Sequence, residues 1–464
     1  MFLIAVVLTA CTTVGPDYEP PKEIDESPTQ WTGELEGGLT AADLDPQTLT
    51  QWWKTLEDPT LNSLVERAIA ANLDLRTAEA QLRQARAQRG VAGSAQFPTI
   101  DAAGSATRSG TGSTTTELYS TSFDAGWELD LFGGTRRAIE ASDADLQAAQ
   151  ETRRDVLISV LAEVALNYAE LRTFQSQLAV ARENLRNQEE SQAIVQAQFD
   201  AGAVTELDLS QATANVERTR SEIPQLEQNV DRAMNRLAVL IGQPPGSLHA
   251  ELKAPQALPT PPVQVAVGVP AETLRRRPDV RVAERRLAAE TARIGVATAE
   301  LYPKFTLSGT IGLEALSLSN LTSSDSQTFR IGPGFRWNIF DGGRARQRIE
   351  VQDAVQEQAM IAYEASILKA LEDVENAITA YTQEQLRYRS LNESAQAAER
   401  AATIAKTRYD AGASDFLTVL DSERTVLGAQ SSRAASEGTI VSNLIRLYKA
   451  LGGGWTPEEP EAAQ

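Results

Sequence analysis

The sequence predicts an α+β membrane protein that is built from an internal duplication, with β-hairpins alternating with long helices. Residues 119–134 and 329–343 each alternate between an apolar, aromatic face and a polar, charged face, which is the two-residue period of a strand. Each stretch ends in a glycine pair and is followed by a long heptad pattern. Trp127 and Trp337 occupy equivalent places 210 positions apart, so one structural unit occurs twice.

Composition excludes several classes of function. The 464 residues carry a formal charge of −20, which argues against nucleic-acid binding, because phosphate contacts need clustered Lys and Arg. A single cysteine, Cys11, and a single histidine, His249, leave no intramolecular disulfide and no cysteine-based metal cage. The chain also lacks a phosphate-binding glycine motif and a nucleophile–base set. We therefore expect no enzyme activity and no catalytic, cofactor or metal site.

The N-terminus has the features of a lipoprotein leader. Residues 1–10 are apolar and within the length of a signal-peptide core. Leu8-Thr9-Ala10-Cys11 resembles a bacterial lipobox, which predicts a covalent lipid on Cys11 followed by a tether over residues 11–58. No later stretch approaches about 18 consecutive apolar residues, so a membrane crossing would have to use strands in a closed barrel.

The first repeat is expected over residues 59–242. A helix ends at Phe97-Pro98, because the residue before proline disfavours the helical conformation. The elements that follow are a hairpin at 98–132 with a polar turn at 109–116, a long helix at 135–200 and a return helix at 205–241.

The second repeat is expected over residues 271–452, after a proline-rich extended linker at 243–270. Its elements are a first helix, a hairpin at 303–341, a long helix at 343–409 and a return helix at 414–451. Residues 453–464 are predicted to be a disordered tail.

Two hairpins supply four membrane-type strands, which is too few to close a barrel. An open strand edge cannot face lipid, so the strands have to be shared between copies of the chain. Three copies would give twelve strands, enough for an aqueous lumen. Asp124, Glu128 and Asp130 lie on the polar side of the first aromatic stretch and would line that lumen.

The chain resembles the outer-membrane efflux proteins of the TolC type, in the lipoprotein branch typified by OprM and NodT. The resemblance covers nearly the whole length. The residues that carry it are Leu8–Cys11, Val14-Gly15-Pro16-Asp17-Tyr18, Trp52-Trp53, Arg277-Pro278-Asp279-Val280, Leu301-Tyr302-Pro303, Phe340-Asp341-Gly342-Gly343 and the two Asp-Ala-Gly turns at Asp200 and Asp410.

This resemblance implies a homotrimer with a twelve-stranded outer-membrane β-barrel continued by a long periplasmic α-helical barrel. It implies a lipid-anchored protein of the outer membrane that contacts outer-membrane lipid and extends into the periplasm. The partners would be a periplasmic adaptor protein and an inner-membrane pump of the RND type. The expected function is a passive conduit for the export of drugs or small molecules.

The resemblance also implies a gate at the periplasmic turns. Leu417 is the candidate apolar constriction and Asp421 the candidate acid, which three copies would place around one axis. The alternative for Asp421 is a solvated carboxylate that interacts favourably with a helix N-terminus. The equivalent position in the first repeat is Gln211. The residues expected to contact the adaptor are Ala201, Gly202, Ala411 and Gly412.

A periplasmic coiled-coil scaffold with no transport role is the alternative interpretation. It explains the heptads, but it leaves the aromatic strand faces unexplained.

Overall fold

The computed structural model describes residues 13–22, 28–43 and 45–456, which divide into two compact units. The first unit holds the described residues within Met1–Lys22, Ala80–Glu151 and Asp279–Ser366. The second holds those within Glu23–Glu79, Thr152–Pro278 and Ile367–Gln464.

Helices dominate the chain. In order they are α1 (Pro46–Thr50), α2 (Pro59–Ala71), α3 (Leu73–Ser94), α4 (Gly134–Asp200), α5 (Glu206–Leu240), α6 (His249–Leu252), α7 (Pro270–Arg276), α8 (Pro278–Ala299), α9 (Arg344–Asp410) and α10 (Phe416–Ala450). The strands are β1 (Leu39–Thr40), β2 (Thr99–Thr111), β3 (Thr114–Leu129), β4 (Val265–Ala266), β5 (Lys304–Ala315) and β6 (Gln327–Arg336). At 1.5 Å per residue, the 67 residues of α4 or of α9 extend about 100 Å.

The first unit contains an antiparallel sheet in the order β2-β3-β5-β6. Each repeat contributes one hairpin, and β3 pairs with β5 to join the two, with Asp124 opposite Thr310. The sheet is open, because β2 and β6 each have one paired neighbour and lie at its two edges.

The helices of the first unit follow the same order as the strands. Arg89 on α3 pairs with Asp143 on α4, and Arg293 on α8 pairs with Asp145 on α4. The side-chain amide of Gln352 on α9 donates to the carboxylate of Glu290 on α8, which joins α8 to α9. Here too, α3 and α9 are the outer members of the row.

The second unit has an apolar core to which both repeats contribute. Trp52 stacks on Tyr448 with ring centroids 5.4 Å apart, and both side chains are buried. The heptad pattern of the sequence predicts one seam on α4, formed by Leu157, Leu161, Val164, Tyr168, Leu171, Gln175, Leu178, Arg182 and Leu185. This seam is buried from Leu161 to Gln175. Beyond that point the buried positions become Ala181, Asn184, Gln188, Ser191 and Val195. Arg182, which the heptad pattern places in the seam, is instead exposed and paired with Glu227, so that prediction is wrong.

Three boundary predictions also need correction. The polar segment 109–116 is mostly strand, because Gly112 with its positive φ of 65° allows a tight turn between Thr111 and Thr114. The second hairpin, expected to extend to residue 341, ends with β6 at Arg336. The first helix is divided at Asn72, whose side chain accepts hydrogen bonds from the backbone N–H groups of Asp74 and Leu75 and so caps α3.

The predicted disordered tail is ordered at its beginning. Trp455 is 4% exposed, and the Arg154 guanidinium lies 4.6 Å from its ring centroid. The backbone N–H of Gly454 donates to the carbonyl of Leu49, which fixes the segment against α1. Residues 457–464 lie outside the described part of the chain.

The segments predicted as tether and linker meet in a short parallel pair. Leu39 and Thr40 of β1 pair with Val265 and Ala266 of β4. The indole N–H of Trp31 donates to the carbonyl of Gly268 at 3.1 Å, which adds a second contact between the two segments.

Candidate functional site

The sheet of the first unit has two chemically different faces. One face carries the apolar side chains of neighbouring strands in register, for example Phe123 opposite Ile311 and Ile311 opposite Phe329. These side chains are open to the surroundings, with Ile311 64% and Phe329 85% exposed. A contiguous apolar patch of this kind is unusual on a monomeric water-soluble surface and marks a face that needs a partner or a membrane.

Indole side chains mark the same end of both hairpins. The indole N–H of Trp127 donates to the carbonyl of Gln96, just after α3. The indole N–H of Trp337 donates to the carbonyl of Leu301, just after α8. Each Trp therefore has a polar atom bound at a helix end and a ring beside the apolar face, which is the preferred setting of Trp at a membrane–water boundary. Within the described residues, no helix is both long enough and apolar enough to span a bilayer.

The opposite face of the sheet is polar and charged. One row across the four strands contains Asp101, Asp124, Thr310 and Arg330. The hydroxyls of Ser122 and Thr310 donate to the two carboxylate oxygens of Asp124 at 2.8 and 2.7 Å. Asp101, Arg330 and Lys304 were missed as candidate residues, although cross-strand pairing of the two hairpins would have placed them beside Asp124 and Glu128.

Glu128 and Asp130 differ in their positions. Glu128 lies on the polar face, and its carboxylate is 3.9 Å from the ammonium of Lys304. Asp130 lies beyond the end of β3, and its carboxylate accepts hydrogen bonds from the backbone N–H groups of Thr135 and Arg136. It therefore caps the start of α4, which corrects its predicted place on the strand face.

Asp341 performs the same task in the second repeat. Its carboxylate accepts from the N–H groups of Gly343 and Ala345 at the start of α9. The hydrogen bond from Ala345, with a smaller effect from Gly343, holds the pKa of the Asp341 carboxyl below its usual range. Both repeats thus use an aspartate to join the hairpin to its long helix.

The two helix-to-helix turns of the second unit have the same geometry. Gly202 and Gly412 have positive φ angles of 71° and 69°. The following N–H groups, of Ala203 and Ala413, donate to Gln198 and Arg408 five residues earlier. This glycine-dependent C-cap satisfies the last helical carbonyls. The predicted contact residues Ala201, Gly202, Ala411 and Gly412 are exposed.

A small apolar cluster lies between the turns. Its members are Val195, Ala212, Phe416, Val419 and Leu420, with Val204, Leu209 and Tyr409 packed against them. The cluster draws on α4, α5 and α10, so it holds the two helical hairpins together. Hydrogen bonds from the side chain and the backbone N–H of Thr418 to the Asp415 carboxylate, the N-cap of α10, lower the pKa of that carboxyl.

The candidate gate residues lie on the other face of α10. Leu417 is 53% exposed, and Asp421 is exposed one helical turn further on. The spacing of four residues places both side chains on one stripe of the helix. The structure therefore brings the two residues together on a surface that the cluster does not cover.

A partly buried carboxylate near this cluster is not indicated by the sequence pattern. Glu423 on α10 accepts hydrogen bonds from Ser191 on α4 and Asn215 on α5. Arg424 donates to the carbonyl oxygen of the Asn215 side chain at 3.0 Å. Burial raises the pKa of the Glu423 carboxyl above its usual value of 4.5, against the opposing effects of Ser191, Lys406 and Asn215. The polar residue Ser191 on the buried side of α4 could have indicated a polar partner on a neighbouring helix, but a strict heptad pattern does not include this position.

The segment that follows Cys11 is fixed against the first unit, although Cys11 itself lies outside the described residues. The N–H of Val14 donates to the carbonyl of Phe132 at 3.1 Å. A Cβ added to Gly133 would lie 2.6 Å from the side chain of Thr13, so the two segments are in close contact. Arg137 donates to the carbonyl of Val14 and to the carboxylate of Asp17.

Comparison with known proteins identifies the family. The profile described as "Outer membrane efflux protein" matches residues 64–243 and 269–453. The pyoverdine export outer membrane protein OpmQ of Pseudomonas aeruginosa is 32% identical, over 99% of this chain and 98% of its own. The cation efflux system protein CusC of Escherichia coli is also 32% identical, over 98% of each chain.

Solved structures agree with these relatives. The structure of the outer-membrane channel OprN superposes with a TM-score of 0.89 at 38% identity, over 96% of this chain and all of that one. The open state of the MtrE outer membrane channel of Neisseria gonorrhoeae gives a TM-score of 0.83 at 28% identity, over 95% and 98% of the two chains. The scaffold alternative is thereby set aside: the chain belongs to the outer membrane efflux protein family and is an efflux channel subunit of the outer membrane.

Proposed function

We propose that three copies of this chain form one conduit. In this trimer the four-stranded sheets join edge to edge into a twelve-stranded outer-membrane β-barrel, continued by a periplasmic barrel of the long helices. The conduit works with a periplasmic adaptor protein and an inner-membrane pump of the RND type, and it passively exports drugs or other small molecules. The chain performs no catalysis and holds no cofactor other than a covalent lipid on Cys11.

One observation carries the proposal: the sheet has two free edges and a bare apolar face. The unpaired backbone groups of β2 and β6 cannot remain unsatisfied in lipid. Because β2 and β6 run in opposite directions, the β6 edge of one copy can pair antiparallel with the β2 edge of the next. Closure by three copies puts Phe123, Ile311 and Phe329 towards lipid and Asp101, Asp124 and Arg330 towards the lumen.

The edge helices support the same arrangement. Val91 on α3 and Ile361 on α9 are large apolar side chains that are more than half exposed in the single chain. Packing α9 of one copy against α3 of the next would remove them from water. The edge strands and the edge helices of one copy would then contact the same neighbouring copy.

The exposed stripe of Leu417 and Asp421 supports a gate at the helical turns. Three copies of Asp421 around one axis would focus a negative potential, and three copies of Leu417 would narrow the opening beside it. The exposed turns at Ala201-Gly202 and Ala411-Gly412 provide the surface that the adaptor would contact.

The position of Thr13 supports lipidation of Cys11. Thr13 lies against Gly133, which follows the Phe132 ring that stacks on Tyr302 at 4.6 Å. An acyl chain attached just before this segment would strengthen the attachment of the strands to the bilayer.

The experiment that tests the trimer is crosslinking between the two sheet edges. Ala103→Cys on β2 and Gly332→Cys on β6, combined in a Cys11→Ser background, are treated with a short bifunctional maleimide in outer membranes. Two strands separate these positions within one chain, so the edges can react only between copies. We expect covalent dimers and trimers from the double variant and at most dimers from either single variant. A double variant that stays monomeric would refute edge-to-edge closure.

A further inference from the structure

A groove runs between α8 and α9 in the first unit. One stripe of α8 contributes Arg293, Val296 and Ala297, and Glu300 follows just after the helix. One stripe of α9 contributes residues from Arg344 to Gln352. The groove encloses about 550 Å³. Cavities of a few hundred Å³ or more are of the size that holds small organic molecules.

The groove combines an apolar floor with positive charge. Val296, Ala297 and Val351 supply the floor. Among the lining residues, Arg293, Arg344 and Arg348 carry guanidinium groups and Glu300 carries a carboxylate.

The arginines differ in how far they are neutralised. Arg348 pairs with Glu300 at 2.6 Å, and Arg293 pairs with Asp145 and Glu290. Arg344 is exposed and forms no salt bridge with the described residues. The Asp341 carboxylate interacts with it electrostatically, but that carboxylate is already bound by the N–H groups of Gly343 and Ala345. Of the three arginines, Arg344 is therefore the most available to an incoming anion, and its planar donors suit carboxylate, sulfonate and phosphate groups.

The groove lies on the polar side of the first unit. A neighbouring cavity of about 260 Å³ shares Val296 and Glu300 with it. Its lining includes Glu128 and Lys304 of the polar strand face, together with Leu129, Leu131 and Phe132 at the end of β3. The N-terminal segment covers a different side of α8, where Tyr18 donates to Glu284 and Gly15 contacts Gly295. In the trimer proposed above, the polar strand face borders the lumen, so the groove opens towards the exported molecules.

We infer that this groove is a transient binding site for exported organic anions, with Arg344 as its main anion contact. This inference rests on the trimeric conduit proposed above, and it assigns that conduit a substrate class. The ligand has an apolar, flat or branched body that covers Val296 and Val351, and at least one acidic group that meets Arg344. Binding is weak and reversible, because the groove is open and its charges are solvated.

A matched pair of charge reversals tests the site. Arg344→Glu changes the groove, whereas Arg346→Glu makes the same change in charge on an exposed residue of α9 outside it. Both full-length proteins are compared with the original in nanodiscs by fluorescence anisotropy. Fluorescein serves as the anionic aromatic probe, and rhodamine 6G as a cationic aromatic probe of similar size.

We expect fluorescein to bind the original protein more tightly than rhodamine 6G. Arg344→Glu should weaken fluorescein binding roughly tenfold at low ionic strength, and added salt should shrink this difference. Arg346→Glu should leave fluorescein binding unchanged. Equal effects of the two variants, or no effect of either, would overturn the site.

Planar-bilayer conductance of the same samples distinguishes a failure of the trimeric conduit from a failure of the anion-binding groove. Absence of channels in the original protein would overturn the conduit itself. Normal channels in Arg344→Glu together with unchanged fluorescein binding would overturn only the groove.

Discussion

The carboxylate of Glu423 accepts a hydrogen bond of 2.7 Å from the hydroxyl of Ser191, which joins α10 of the second repeat to α4 of the first. The amide of Asn215 on α5 donates to the other carboxylate oxygen at 3.1 Å. One acidic side chain thus connects three helices within a turn of the apolar cluster between the helical turns. Its protonation state should affect how firmly this part of the second unit is packed.

We expect the stability of this region to fall as the pH rises above about 4.5, the usual pKa of glutamate. Because burial raises the folded-state pKa of Glu423, the folded protein binds more protons than the unfolded chain between the two pKa values. The stabilising contribution is complete below the unfolded pKa and is lost as the pH passes the folded one. Hydrogen exchange of the α10 amides near Glu423, followed against pH, would measure the effect.

The charged groups around Glu423 define the controls. Lys406 on α9 and Arg424 on α10 are the neighbouring cations. Glu423→Gln should remove the pH dependence while keeping the volume of the side chain. Glu423→Ala should cost about 1–3 kcal/mol, because the donors of Ser191 and Asn215 lose their partner in a buried site. An unchanged pH profile in Glu423→Gln would show that another group is responsible.

The stripe formed by Leu417 and Asp421 leads to a prediction for the gate. Leu417→Ala together with Asp421→Ala should raise single-channel conductance in planar bilayers, because both the apolar narrowing and the ring of negative charge are lost. The free energy of unfolding should change by less than about 0.5 kcal/mol, since both side chains are exposed.

The first repeat offers the matched control. Leu207 and Gln211 occupy the positions of Leu417 and Asp421 one repeat earlier, and Leu207 is likewise exposed. Leu207→Ala together with Gln211→Ala should leave the conductance as it is. An increase of the same size in both double variants would mean that the constriction is not specific to α10.

Much of the fold was predictable because it depends on periodic patterns. The two-residue period around Trp127 and Trp337 indicates strands with one apolar face, and the exposed Phe329 and Ile311 confirm that this face is not part of a soluble core. The repeated Asp-Ala-Gly sequence indicates the two turns, because a positive φ at Gly202 and Gly412 is what a glycine C-cap requires.

Other features depend on tertiary contacts that a pattern does not contain. A straight helix drifts relative to a strict seven-residue repeat, so the buried stripe of α4 moves from Gln175 to Ala181 and leaves Arg182 in solvent. Asp130 continues the strand alternation in the sequence, but two N–H groups of α4 bind its carboxylate. Glu423 is unremarkable in the sequence, because its burial depends on α4 and α5 of the other repeat.

Cys11→Ser should abolish lipidation and leave the trimer assembled. In the proposed conduit, the apolar face of the sheet is the main attachment to the bilayer, and the acyl chain would only add to it. Metabolic labelling with a palmitate analogue would report the lipid, and mass measurement in detergent would report the assembly. Arg137 and its contacts to Val14 and Asp17 remain in this variant, so the segment at residues 13–18 should keep its place. Monomers from Cys11→Ser would show that the lipid is needed for assembly.

A lysine on the apolar face should be far more damaging than a lysine on the polar face one residue away. Ile311 lies in the middle of β5 between Phe123 and Phe329, so Ile311→Lys should cost about 2–4 kcal/mol, the cost of a charge near the bilayer midplane. Folding into lipid vesicles, followed against urea concentration, measures this difference.

Thr310→Lys is the control, because Thr310 is the next residue and points to the opposite face beside Asp124. It loses the 2.7 Å hydrogen bond to Asp124 but gains an opposite charge next to that carboxylate, so we expect folding close to that of the original protein. If the two lysine variants were equally stable, or if Thr310→Lys were the less stable, lipid could not be what covers Phe123, Ile311 and Phe329. The polar face would then have to be the buried one, and the orientation of the sheet proposed here would be inverted.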